Sequence, residues 1–374
     1  MYKHRKITSF ISGLALLGAV SMSASAQSGP YVVGTLFPMS GPNAEAGSIY
    51  TNAVQLAFDH IREDKLLKGN VEIKSADSLG TPQGGAIGMS RLTSVDKAVY
   101  TLVGFTGVSK AAAPIGQRAK AMMINGGAVG PDLASLSPYF WNIIPLANQE
   151  VKFLIPWLSE NNIKKISVIY VDDALGQGIL QELKKGLPET GGTVTSAYSV
   201  PPDLQQFSSI IAKLRSDQPD AIYIASPNIS QIGHIIKQVR DGGIKHQLLT
   251  YGAANFPSIS KLPESEGLIF TSQGADWKSD QPIMKRFVES WREKFKTEPT
   301  TYGLNYYNGG LLFGYLAKGL EEAGKPVTGD TLVEELKRVG KFDLAGGEAT
   351  FHDGTVTAAM QINKITNGVT EKIK

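Results

Sequence analysis

A chain of 374 residues, 42% hydrophobic and 19% charged, is long enough for two cores and has the composition of an ordinary folded protein. It contains no cysteine, which excludes disulfides, thiolate metal sites and a cysteine nucleophile. Its net charge of +3 matches the three bases Lys3, Arg5 and Lys6 at the start, so the remainder is neutral and carries no electrostatic footprint for nucleic acid.

The chain opens with a basic stretch, MYKHRK, and an apolar run, ITSFISGLALLGAV. Small residues at Ala24–Ser25–Ala26 complete the pattern of a cleavable export signal over 1–26, removed before Gln27. The apolar run is short for a membrane span of roughly 20 residues. The expected product is a soluble exported protein, most simply periplasmic.

Strands and helices then alternate. YVVGTLF at 31–37 reads as a buried strand, and Ala46–Ile61 as a helix. VEIKSAD at 71–77 alternates as a half-exposed strand does, and 100–105 and 121–126 are short apolar strands flanking a helix over Lys110–Lys120. A second series follows, with strands at 165–172, 192–200, 220–226 and 247–252. Between them lie helices over Gly176–Leu187, from Asp203 onward, and over Ile229–Val239. The helix faces are legible in Ile179, Leu180, Leu183 and Leu187, and in Ile229, Ile232, Ile236 and Val239. Two such series predict an α/β protein of two doubly wound parallel-sheet lobes, joined near Pro145–Asn148. In such sheets ligands sit beyond the carboxyl ends of the strands. That singles out the loops at 38–47, 106–110, 126–131, 172–176, 226–229 and 251–255.

Enzyme motifs are absent or incomplete. GQGILQ at 176–181 lacks the third glycine of a dinucleotide loop, and no Gly-Lys-Ser/Thr, H-E-x-x-H or G-x-S-x-G occurs. SVDK at 94–97 and SISK at 258–261 have no S-D-N or K-T-G to accompany them. Asp172 and Asp173 read either as a cap on the next helix or as an acid pair. The sequence thus predicts neither enzyme chemistry nor a metal or other cofactor.

The segments VGTLFPMSGPNAEAG, VGFTGVSKAAAPIGQRAKAMMINGGAVGPDL, VIYVDDALGQG and GHIIKQVRDGGI, in this order, resemble the periplasmic Leu/Ile/Val-binding proteins of ABC importers. The resemblance implies a type I periplasmic binding fold with a three-crossing hinge. The crossings are expected near Pro145–Asn148, Ser272–Ala275 and Asp353–Val356. Lobe 1 is then 27–146 and 274–354, and lobe 2 is 147–273 plus a C-terminal hairpin over 355–374.

It also implies a function: a monomer that binds a small carboxylate or amino acid in the cleft and hands it to a membrane permease. An exported sensing subunit of a receptor is the alternative. By the same resemblance the ligand's carboxylate meets Thr106 or Ser109 and the backbone of Gly127, Ala128 and Val129, with Ser109 beside the start of a helix near Lys110. Leu175, Asn228, Tyr251, Gly252 and Tyr307 take the remaining cleft positions. The family's acid for an ammonium group falls at about Gly252, where this chain has none, and Ala46 and Leu175 replace aromatics. An aromatic or branched acid without an ammonium group is therefore favoured, a hydrophobic amino acid is the next reading, and Asp172 or Asp173 is its available substitute acid.

Overall fold

The segment YVVGTLF is buried along nearly its whole length because it has a strand on each side and helices packed over it. The computed structural model describes residues 30–374, so the export signal expected over 1–26 lies outside the described residues. The first series runs β1 (Tyr31–Phe37), α1 (Ala44–Glu63), β2 (Val71–Asp77), α2 (Pro82–Ser94), β3 (Tyr100–Val103), α3 (Thr106–Ala119), β4 (Met122–Asn125) and β5 (Phe140–Asn142). Its five strands form one parallel sheet in the order β2-β1-β3-β4-β5.

The second series runs α4 (Ala147–Glu160), β6 (Lys165–Val171), α5 (Ala174–Gly186), β7 (Thr193–Val200), α6 (Ser208–Asp217), β8 (Ala221–Ala225), α7 (Ile229–Asp241), β9 (Gln247–Thr250), α8 (Pro257–Ser260) and β10 (Ile269–Gln273). The chain then adds α9 (Pro282–Phe295), α10 (Thr301–Glu322), α11 (Gly329–Val339), β11 (Lys341–Leu344), β12 (Gly347–His352), β13 (Thr355–Thr357), β14 (Met360–Thr366) and β15 (Val369–Lys372). The second sheet has seven strands, β15-β14-β10-β9-β8-β6-β7, and its β14 and β15 are antiparallel. Asn367 and Gly368, with φ of 51° and 73°, form the tight turn between them.

Helix α10 returns the chain to the first sheet. It is buried almost throughout and packs against α1, and a Cβ on Gly310 would stand 2.6 Å from Ala57 Cβ, so only glycine permits the helices to approach this closely. Three connections link the two sheets: 143–146 between β5 and α4, 274–281 between β10 and α9, and 358–359 between β13 and β14.

The third falls later than the expected Asp353–Val356. Asp353 and Gly354 make a left-handed turn, with φ of 46° and 75°, and Thr355–Thr357 pairs with β12 in a small three-stranded sheet. Helix α6 likewise begins at Ser208 and not at Asp203. Gln231 and Gln238 hold the preceding segment in a non-helical path, accepting from Phe207 N and donating to the carbonyls of Pro201, Leu204 and Gln205.

Candidate functional site

Strand β3 lies in the middle of the first sheet and points its carboxyl end at the gap between the sheets. The chain leaves it through Gly104 and Phe105. A Cβ on Gly104 would lie 2.4 Å from the Tyr306 hydroxyl, so the backbone there must be bare. Phe105 holds φ 66° and ψ 129°, a conformation uncommon outside glycine and typical of strain kept at a functional site. Helix α3 then starts at Thr106, one turn earlier than the sequence predicts, and no side chain caps it. Uncapped first-turn amides and the positive dipole end of a helix favour an anion.

The early start changes the role of Ser109. It is the fourth residue of α3, its N–H donates to Phe105 O at 2.8 Å, and its hydroxyl is fully buried with no partner among the described residues. Ser109 lies outside the cavity lining, whereas Thr106 belongs to it. The Thr106 hydroxyl oxygen accepts from Gly130 N at 3.2 Å, which leaves its own proton available to an acceptor.

The loop Gly127–Val129 also lines the cavity, but most of its amides are already used. Asn125 Oδ1 accepts from Gly127 N at 3.1 Å and from Ala128 N at 2.7 Å. Its amide nitrogen donates to Ala128 O and to Asn142 Oδ1. Of the three amides expected to meet a carboxylate, only Val129 N remains without a partner among the described residues.

Phe105 and Tyr251 line the cavity here, and further rings pack behind Phe105. Tyr50 on α1 packs against Phe105, Phe256, Tyr302 and Tyr306, with centroid separations from 4.2 to 6.5 Å. Tyr302 stacks on Phe256 at 4.8 Å and 14°, a contact between the two lobes. Tyr306 donates to Val103 O and Tyr251 to Ser226 O, both at 2.8 Å. The hydroxyls of Tyr50 and Tyr302 have no protein partner among the described residues although both side chains are almost wholly buried. Burial holds both phenols well above their ordinary pKa, so each stays a neutral donor.

The second lobe closes the other side with Leu175, Pro227, Ile229 and Tyr251. Asp173 caps α5, accepting from Leu175 N and Gly176 N at 3.1 and 2.9 Å, and burial raises its carboxyl above the ordinary range despite those bonds. Asp172 instead binds the Gln177 side chain at the surface. Asn228 caps α7 and does not line the cavity, although its neighbours Pro227 and Ile229 do. Ile229 N donates across the gap to Asn43 Oδ1 at 3.2 Å, and Glu45 accepts from both Ser258 N and the Ser258 hydroxyl. The lobes are therefore closed on each other. The cavity of about 20 Å³ between them holds roughly one water, so admitting an organic guest requires the lobes to part.

Tyr307 is not in the cleft. Its hydroxyl meets His60 Nδ1 at 2.7 Å, and its ring packs on Phe287 at 4.7 Å, on the side of α10 that faces α1 and α9. Successive helix residues point about 100° apart, so the neighbouring Tyr306 takes the cleft side. Gly252 lies just behind the lining, where a Cβ would stand 3.1 Å from the Tyr302 hydroxyl. Sequence reasoning missed Phe105, Pro227 and Ile229 on the lining, and Tyr50, Phe256 and Tyr302 in the cluster of rings behind Phe105. Tyr50 was within reach of it: one helical turn beyond Ala46 on the same face, it restores the ring that Ala46 lacks.

Two α/β lobes with a triple connection and a small cavity between them have the architecture of a hinged binding protein. The chain matches the model of the periplasmic binding protein family over residues 30–369 and belongs to that family. Among its relatives, Leu/Ile/Val-binding protein homolog 3 of Brucella melitensis is 23% identical over 354 residues, 91% of this chain and 93% of that one. The leucine binding protein LivK of Thermotoga maritima is 21% identical, with 92% of this chain and 98% of that one covered and a TM-score of 0.83. A solute binding protein of an ABC transporter from Rhodopseudomonas palustris, solved with 3,4-dihydroxybenzoic acid, is 22% identical, with 90% and 93% covered and a TM-score of 0.79. At these identities the solved structures show a shared fold. No helix among the described residues is long and apolar enough to cross a membrane.

Proposed function

We propose that the chain is the periplasmic solute-binding component of an ABC importer. In this reading it is exported by its first 26 residues, traps a small carboxylate with an aromatic or branched body, and presents the closed form to a membrane permease. The observation that carries the reading is the uncapped start of α3 opening into a cavity between two closed lobes, with Phe105 and Tyr251 on its lining and Tyr50 packed behind Phe105. An anion docked there gains charge-assisted hydrogen bonds from amides, and closure strengthens them by excluding water. The rings bury the apolar remainder, at about 25 cal/mol for each Å² removed from water. Relatives of similar fold carry both kinds of ligand in their names, leucine in one and a dihydroxybenzoic acid in another. In this reading the passenger is carried without being chemically altered.

Thermal-shift screening of the purified mature protein against amino acids, aromatic acids and short-chain acids tests the proposal. The expected result is stabilisation by at least one carboxylate with a hydrophobic body and by none of the corresponding amides or alcohols. Stabilisation by the neutral analogues to the same degree overturns it.

A further inference from the structure

The loop Gly127–Val129 is held by a side chain that does not line the cavity. Asn125, the last residue of β4, is fully buried and uses all four of its hydrogen-bonding positions. Its oxygen accepts from Gly127 N and Ala128 N, and its nitrogen donates to Ala128 O at 2.7 Å and to Asn142 Oδ1 at 2.8 Å. A trans peptide points its N–H opposite to its C=O. With Ala128 O drawn back to Asn125, the N–H of Val129 turns away from Asn125, and it has no partner among the described residues. Val129 belongs to the cavity lining, and Asn125 stands behind it.

Asn142 carries this network to the hinge. It is the fully buried last residue of β5, immediately before the first connection between the lobes. Its backbone and side-chain nitrogens both donate to Gly354 O, at 3.0 and 2.7 Å. Gly354 lies in the left-handed turn that leads through β13 to the third connection. On its other flank the loop is bonded to the second lobe, because Val129 O accepts from Ala147 N, the first residue of α4, at 2.6 Å. The asparagines form a directional relay. A carbonyl only accepts, so Gly354 O faces the Asn142 nitrogen, and the Asn142 oxygen then faces the Asn125 nitrogen. That leaves the Asn125 oxygen toward the amides of Gly127 and Ala128.

We propose, building on the function proposed above, that Asn142 and Asn125 are positioning residues. They aim the Val129 amide at the carboxylate of the guest, and they tie that aim to the roots of the first and third hinge connections. Asn142 acts only through Asn125, since it lies outside the cavity lining. A fully satisfied buried network of this kind rigidifies what it holds, and removing one member strands the others.

Native-state hydrogen exchange of the mature protein, read residue by residue by NMR, tests the relay without a ligand. In the unaltered protein Gly127 and Ala128 should exchange about tenfold more slowly than Val129, and Val129 should slow once a guest is bound. Asn142→Ala should speed exchange at Gly127 and Ala128 about tenfold while the amides of β1 keep their protection. Titration with leucine and with 3,4-dihydroxybenzoate reads the consequence for binding. The variant should hold its guest about five- to tenfold more weakly, the loss residing in faster dissociation. Tyr307→Phe, altered on the far side of α10, is the control for general destabilisation and should change neither the loop exchange nor the dissociation constant. Unchanged exchange at Gly127 and Ala128 in Asn142→Ala overturns the inference. So does unchanged affinity beside lost stability, which makes Asn142 a structural residue only. Should Asn142→Ala fail to fold, the unaltered protein decides: a Val129 amide already as protected as Gly127 and Ala128 before a guest is added, or no slower after, overturns the inference. Failure of both probes to bind the unaltered protein counts against the function proposed above, and the exchange of Gly127 and Ala128 still decides the relay.

Discussion

Replacing Glu150 with glutamine should stabilise the ligand-free protein, and increasingly so as the pH rises. The carboxyl titrates near 4.5 in an unfolded chain and near 8 in the folded one. Between those values the folded state holds a proton that the unfolded state has lost, so stability falls as pH increases. Each pH unit in that window costs about 1.4 kcal/mol. From pH 5 to pH 8 the accumulated loss is about 3 kcal/mol. Glutamine has the same shape, keeps an acceptor for Thr271 and has no proton to lose. Its stability difference from the parent should therefore grow by about 3 kcal/mol across that range. Urea unfolding followed by tryptophan fluorescence at pH 5, 6, 7 and 8 measures it directly. A difference that stays flat with pH refutes the reasoning, because it means that Glu150 is either solvated or paired in the folded protein.

Tyr302→Phe removes a hydroxyl without a protein partner, so stability should hold within about 0.5 kcal/mol while ligand affinity falls roughly five- to tenfold. Loss of stability in urea without loss of affinity in titration contradicts this. Tyr307→Phe should do the opposite, costing about 1–2 kcal/mol by stranding the buried His60 nitrogen and leaving the dissociation constant unchanged. Paired urea and titration measurements check it. Glu45→Ala removes an exposed interlobe clasp on Ser258, so the lobes should populate open forms more and affinity should drop about two- to fivefold. Small-angle scattering of the ligand-free variant should then report a larger radius of gyration.

The two-lobe architecture was legible because it is written in repeated apolar strands and in helices with one apolar face. Tyr31–Phe37, Val71–Asp77 and Ile229–Val239 announce themselves by periodicity, and the Asn367–Gly368 turn by its residue pair. The site was legible only in part. Thr106, Gly127, Ala128, Val129, Leu175 and Tyr251 line the cavity because loops at strand ends must do so in this kind of sheet. What those loops do with their hydrogen bonds was not visible. Asn125 occupies two of the amides, and the strained Phe105 starts α3 early enough to bury Ser109 inside it. The choice between Tyr306 and Tyr307 depends on helix phase against two different neighbours, and α10 is apolar nearly all round. The burial of Glu150 was beyond reach altogether, because it arises from α4 packing on β10, where its carboxyl meets Thr271, 121 residues away in the chain.

A crystal structure of the mature protein with its tightest-binding carboxylate tests the central claim most directly. The account predicts the carboxylate within hydrogen-bonding distance of the first-turn amides of α3 and the Thr106 hydroxyl, with both lobes in contact with the guest. A guest bound elsewhere, or held by one lobe with the start of α3 facing solvent, contradicts it.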